Sequence, residues 1–154
     1  MSNITLRDFE IKDKKDFYDM AALFYESGVA DKIICREILH NTFNQCVNKS
    51  PFIRGVFICH DYLICGYALL TFTYSNEYGG LIMFIDELYV KEDFRTKGIA
   101  SFFLSSIISE YKNDVVYVEV VISKNNRADV NICQKIGFVV NNYISMHKVL
   151  YARN

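Results

Sequence analysis

The chain holds a single proline among 154 residues, and charged residues make up only 23% of it. So few breakers and so little charge do not make a disordered segment. A basic excess is also missing. Lys and Arg total 17 against 18 Asp and Glu, a formal net charge of -1. Nucleic-acid binding needs surplus cations to neutralise phosphates, so that partner class is set aside. No apolar run approaches the ~20 residues of a membrane span. Met1 to Glu10 lacks the apolar core of a secretory leader. The expectation is a cytoplasmic protein with no membrane partner. Cys-x-x-Cys is absent too: Cys35, Cys46, Cys59, Cys65 and Cys133 are odd in number and irregularly spaced. They read as buried free thiols of a reducing compartment. His40, His60 and His147 do not pair with them at ligand spacing, so no metal is expected.

What is abundant is apolar. Hydrophobic residues reach 51%, with 12 Phe and 11 Tyr. That can fill a sizeable core, and the length suits one domain over residues 1–154. Period-two alternation places a first strand at Ile4 to Asp8. Helical spacing of Phe17, Met20, Ala21, Phe24 and Tyr25 gives a helix stopped at Gly28. A second helix fits Ile33 to Val47. Strands follow at Val56 to Cys59, Leu63 to Thr73 and Leu81 to Val90. A helix begins near Ile99 and ends at Lys112-Asn113-Asp114. Val115 to Ile122 reads as a strand and Ala128 to Ile136 as a helix. Phe138 to Val140 and Ile144 to Leu150 read as closing strands. This order predicts an α/β (α+β) fold, a mixed sheet with helices on both faces.

The stretch Leu81 to Ala100 carries the chemistry. An apolar strand takes up two adjacent carboxylates, Asp86 and Glu87, and closes with Leu88-Tyr89-Val90. A short loop then reaches Arg95-Thr96-Lys97-Gly98-Ile99-Ala100, which opens a helix. A helix N-terminus offers free N–H groups and the positive end of the helix dipole, which suits a phosphate or pyrophosphate. Gly98 allows close backbone approach, and Arg95 and Lys97 add charge. Neither Gly-x-Gly-x-x-Gly nor a Gly-Lys-Ser/Thr run is present, so the familiar nucleotide loops do not fit.

Arg95-x-x-Gly98-x-Ala100 after a strand ending in Val90 resembles the acyl-CoA signature of the Gcn5-related N-acetyltransferases (GNAT). The order of elements is also similar, over most of the chain. The resemblance implies a GNAT-like, mostly antiparallel central sheet. It implies acetyl-CoA as co-substrate, held at Arg95, Thr96, Lys97, Gly98, Ile99 and Ala100. Backbone groups of Leu88 and Val90 would hold the pantetheine arm. Asn126 would either touch that arm or cap the following helix.

Asn126 to Phe138 resembles the family's second signature. Asn126, Gly137 and Phe138 match it. Asp129 stands where Ala or Ser is usual, and Cys133 where a tyrosine protonates the departing sulfur. Cys133 is therefore either the acid or a packing thiol. A thiol pKa of about 8.5 makes thiolate a tolerable leaving group without help.

The acidic pair needs an explanation of its own. Successive strand residues face opposite sides, so Asp86 and Glu87 should point apart. A buried unpaired charge is costly. Either the strand end is wet, or the pair serves an amine acceptor. Gly66 to Tyr74, continuing to Asp86-Glu87-Leu88-Tyr89-Val90, resembles the diamine (spermidine/spermine) branch of the family. That implies Asp86 as base through water and Glu87 as holder of the amine, with Tyr25, Tyr74 or Tyr89 as candidate walls of a cation pocket. The reading is an N-acetyltransferase for a small amine, with room for a homodimer. Its rivals are an enzyme acting on a protein amine or an amine antibiotic, a CoA-binding sensor without turnover, and a nucleotide-binding module.

Overall fold

A computed structural model describes residues 3–28 and 34–150. Strand β1 (Ile4–Asp8) leads through a 3-10 turn into helix α1 (Lys14–Glu26), and α2 (Arg36–Val47) follows. Three long strands come next: β2 (Ile53–His60), β3 (Leu63–Ser75) and β4 (Gly80–Val90). Helix α3 (Ile99–Tyr111), strand β5 (Tyr117–Val120) and helix α4 (Arg127–Ile136) complete the order. The strands lie in the order β1-β2-β3-β4-β5. All neighbours are antiparallel except β4 and β5, which run parallel. This is the mixed, mostly antiparallel sheet that the sequence predicts.

The two faces of the sheet bury different sets of side chains. One face meets α1 and α2 through Phe17, Met20, Leu39, Phe43, Phe57, Tyr67 and Tyr89. The other meets α3 and α4 through Val56, Ile58, Ala68, Leu70, Met83, Ile85, Phe103 and Ile107. Neighbouring strand residues alternate between the two clusters, as pleating requires.

Three expectations need correction. Helix α2 begins at Arg36, not Ile33: Ile33 itself lies outside the described residues, and Cys35 is extended at the N-cap (φ -87°, ψ 157°). Strand β5 is four residues long, because its predicted start is used elsewhere. The Val115 N–H bonds the Tyr111 carbonyl and closes α3. The closing strands are absent among the described residues. Phe138 belongs to the end of α4 instead: Gly137 is left-handed (φ 109°), and the Phe138 N–H bonds the Cys133 carbonyl. Beyond it the apolar residues find no buried face, with Val139 85% and Ile144 90% exposed. Alternation favours a strand only where a surface packs against it.

All five cysteines are free, and Cys46, Cys59, Cys65 and Cys133 are buried. No described helix is long and apolar enough to cross a membrane.

Candidate active site

Strand β4 is irregular in two places, and the site lies where they meet. The first is a bulge. Leu69 of β3 stands opposite Glu87 and Leu70 opposite Ile85, so Asp86 is an extra residue without a partner. A bulge re-aims the side chains beyond it. Met83 and Ile85 face the α3/α4 side, and so do Leu88 and Val90, which regular alternation would have sent the other way. Tyr89 consequently faces α1 and α2. Glu87 does too, since hydroxyls from α1 and β3 reach its carboxylate.

The bulge removes the simple alternation behind the expectation that Asp86 and Glu87 point apart. The two form one doubled position against β3, and the charge of Asp86 raises the pKa of both Glu87 and Tyr25. Glu87 is 8% exposed. Its Oε2 accepts from the Tyr67 hydroxyl at 2.7 Å, and its Oε1 accepts from the Tyr25 hydroxyl. Burial pushes the Glu87 carboxyl up; the two hydroxyls pull it down and Asp86 pushes it up again. Asp86 is reached by solvent, yet burial raises its carboxyl too. Among the described residues no Lys, Arg or His pairs with either carboxylate.

The second irregularity is an early end to pairing. The parallel pairing of β4 with β5 runs from Ile82–Tyr117 to Ile85–Val120 and stops there, while β4 continues to Val90. From Asp86 onward the edge of β4 facing β5 has no strand beside it. The Lys91 N–H bonds the Cys65 carbonyl on β3, whereas the Val90 carbonyl turns away and accepts from Arg95 Nε at 2.9 Å. Backbone groups alternate between the two edges of a strand. The Leu88 and Val90 groups therefore lie on the open edge. An extended amide-bearing chain can bond there as a strand would.

The turn at Arg95–Ala100 follows directly. Thr96 (φ 62°) and Gly98 (φ 74°) are both left-handed. That conformation is costly for a β-branched residue and marks a ligand turn as readily as a strained loop. Gly98 is the N-cap of α3, and no side chain caps that helix. A Cβ on Gly98 would meet nothing within 4 Å, so the space before the helix is open. Free first-turn N–H groups facing open space fit a phosphate group. The Ile99 side chain is buried and anchors α3, which leaves its backbone for any ligand. Ala100 is half-buried. Lys97 lies over the Phe94 ring at 5.2 Å, and the Arg95 guanidinium over Tyr89 at 5.8 Å.

The remaining candidates lie away from this strand end or serve its scaffold. Asn126 caps α4: its Oδ1 accepts from the Asp129 N–H at 3.2 Å, and its amide donates to the Asp129 carboxylate at 2.6 Å. Cys133 is 6% exposed in the α3/α4 core, where burial raises its thiol. Tyr74 pairs with Leu81 at the far end of β4, away from the acidic pair. It lines a separate cavity with Arg54, Thr73 and Tyr111. Tyr67 is a site residue that sequence reading missed; the signal was the bulge, which period-two spacing cannot reveal. No group of three metal-capable side chains occurs among the described residues.

Solved structures share this fold at low sequence identity. A possible acetyltransferase from Clostridium difficile 630 superposes with TM-score 0.79 at 15% identity, over 96% of this chain and 99% of that one. The aminoglycoside acetyltransferase AAC(6')-Iy, in complex with a bisubstrate CoA analogue, superposes with TM-score 0.76 at 12% identity, over 96% and 98%. An aminoglycoside acetyltransferase from an uncultured soil metagenomic sample, in complex with sisomicin, gives TM-score 0.74 at 14% identity, over 96% and 97%. No curated protein sequence matches the chain. Residues 15–138 match the model of the acetyltransferase (GNAT) family, a span that includes the acidic bulge, the open edge of β4 and the α3 turn, and the chain belongs to that family.

Proposed function

We propose that the protein transfers an acetyl group from acetyl-CoA to a primary amine of a small polycationic acceptor, by direct attack. One observation carries the acceptor class. Two carboxylates sit side by side in the β4 bulge at Asp86 and Glu87, and no cationic side chain among the described residues offsets them. A protein stabilises such a pair poorly by itself. An ammonium group supplies the missing charge. The sisomicin and acetylneamine complexes of the two aminoglycoside enzymes are consistent with such an acceptor.

Acetyl-CoA supplies an acyl group on a good leaving group; the rest is positioning and proton transfer by this chain. The uncapped N-terminus of α3 with Gly98 would hold the pyrophosphate, with Arg95, Thr96 and Lys97 beside it. The open edge at Leu88 and Val90 would hold the pantetheine arm. The N–H of Val90 lies on that edge and suits the thioester oxygen as charge develops there. Glu87 would hold the ammonium. An alkyl amine has a pKa near 10, so freeing its lone pair at neutral pH costs about 4 kcal/mol. Asp86 would take that proton, directly or through one water. Its raised pKa makes it a better base. Cys133, buried in the α3/α4 core, packs rather than donates a proton in this reading. Thiolate departs without an acid.

Thiol release from acetyl-CoA is the test, over a panel of diamines, aminoglycosides, a peptide with a free N-terminal amine and a neutral alcohol. Turnover with small polycations and not with the peptide is expected. Tight CoA binding without turnover on any amine overturns the enzyme reading in favour of a sensor. Turnover with the peptide alone overturns the small-molecule acceptor.

A further inference from the structure

Glu87 already has a donor on each oxygen, and the two donors differ in kind. Tyr67, on β3, is fully enclosed, with its ring 5.3 Å from Phe17 and 6.0 Å from Tyr89. Its hydroxyl has nowhere else to go, so Oε2 is held permanently. Tyr25 comes from the last turn of α1, one residue before the helix ends at Glu26, and is only half-buried. Its ring rests edge-on against Phe24 at 5.2 Å. Its hydroxyl covers Oε1 from this less enclosed side chain. Glu87 is 8% exposed, so an incoming ammonium finds little free surface on that carboxylate while Tyr25 stays in place. A hydroxyl is both donor and acceptor, and an ammonium carries up to three donors.

We propose that Tyr25 is an exchangeable placeholder for the acceptor: an ammonium N–H takes Oε1, and the displaced Tyr25 hydroxyl oxygen accepts a second N–H from the same group. This rests on the acceptor reading above and deepens it. Tyr67 remains in place as a positioning residue that holds the Glu87 carboxylate through Oε2. The exchange moves hydrogen bonds only, so no bond to carbon or sulfur changes. It selects for ammonium groups with at least two N–H donors. A neutral acceptor brings no charge to Oε1, and a quaternary ammonium has no N–H with which to replace the Tyr25 donor.

The probe is putrescine, added to the full chain saturated with CoA. The readout is the tyrosine ultraviolet difference spectrum, which no tryptophan obscures because the chain has none. A tyrosine losing a carboxylate partner changes its absorption. Wild-type protein should give a saturable difference band, and Tyr25→Phe should lose most of it. Tyr67→Phe should keep the band but bind putrescine roughly tenfold more weakly, since a hydrogen bond to a charged group is lost. An undiminished band in Tyr25→Phe overturns the exchange. So does putrescine binding, seen by calorimetry, with no band in the wild type. Glu87→Gln separates the two readings. If it weakens putrescine binding while Tyr25→Phe keeps the band, only the exchange falls. If it binds putrescine as the wild type does, the acceptor assignment falls as well.

Discussion

Gly66 of β3 lies so close under Tyr89 of β4 that a Cβ on Gly66 would run into the Tyr89 carbonyl oxygen. The obstacle is backbone, so no side chain can turn aside. Gly66 faces Val90, the last residue of the open edge, in the strand register. It follows Cys65, the residue left over where β2 and β3 shift register. Gly66→Ala should therefore force β4 outward at its open edge. A loss of about 1–3 kcal/mol is expected from overpacking, read from the denaturant midpoint. CoA affinity should fall with it, because the edge groups of Leu88 and Val90 move.

Gly98→Asp tests the phosphate turn. The left-handed backbone (φ 74°) strains any side chain, and a carboxylate there would oppose an anion at the helix N-terminus. The space is open, so the fold should survive. Calorimetry should show CoA affinity reduced at least roughly tenfold, or about 1.4 kcal/mol. Unchanged affinity would place the pyrophosphate elsewhere.

Cys133→Ala separates packing from acid catalysis. The thiol is buried and its pKa is raised, so it stays neutral at physiological pH. A packing role predicts a stability loss of about 1 kcal/mol and turnover within a few-fold of wild type. A positioned acid contributes roughly 10²–10⁴-fold. A drop beyond tenfold with normal CoA binding would return Cys133 to the chemistry.

Asp86→Asn should move stability and activity in opposite directions. Burial raises the Asp86 carboxyl above its ordinary value. The folded protein thus holds that proton to higher pH than the unfolded chain does. Stability contributed by this group is present below the ordinary carboxylate range and is lost as pH climbs through the raised folded value. At neutral pH the charge is a net cost, and the amide removes it. Thermal melting at pH 7 should show the variant at least as stable as wild type. Turnover at pH 7 should fall, and should recover in part as pH approaches the pKa of the amine. A variant less stable at pH 7 with unchanged turnover would make Asp86 structural.

Much of this was legible in the residues, and the gaps have physical causes. Helical spacing from Phe17 to Tyr25 and from Ile99 to Ile108 marked α1 and α3 because each buries one stripe. Gly98 marked the turn into α3 because little else tolerates its φ. The bulge at Asp86 was not visible, since a strand with one extra residue has the same composition as a regular one. Only the register with Leu69 and Leu70 reveals it. Tyr67 was missed for the same reason: its link to Glu87 exists only after the bulge reverses the alternation. Phe138 to Val140 and Ile144 to Leu150 looked like strands because apolar residues recur there, but recurrence does not supply a partner strand.

An unpaired strand edge on the outside of a sheet invites another sheet to add to it, and soluble proteins blunt such edges with charge or proline. The edge of β4 from Asp86 to Val90 carries no proline, but it opens with two carboxylates, and β5 pairs with that edge only as far as Ile85. Neighbouring strands sit about 4.8 Å apart, so an extended ligand one chain thick fits the place that a longer β5 would have filled. The acidic pair thereby supplies the charge that discourages strand addition, while the Leu88 and Val90 backbone beyond it stays adhesive to a thin, extended ligand.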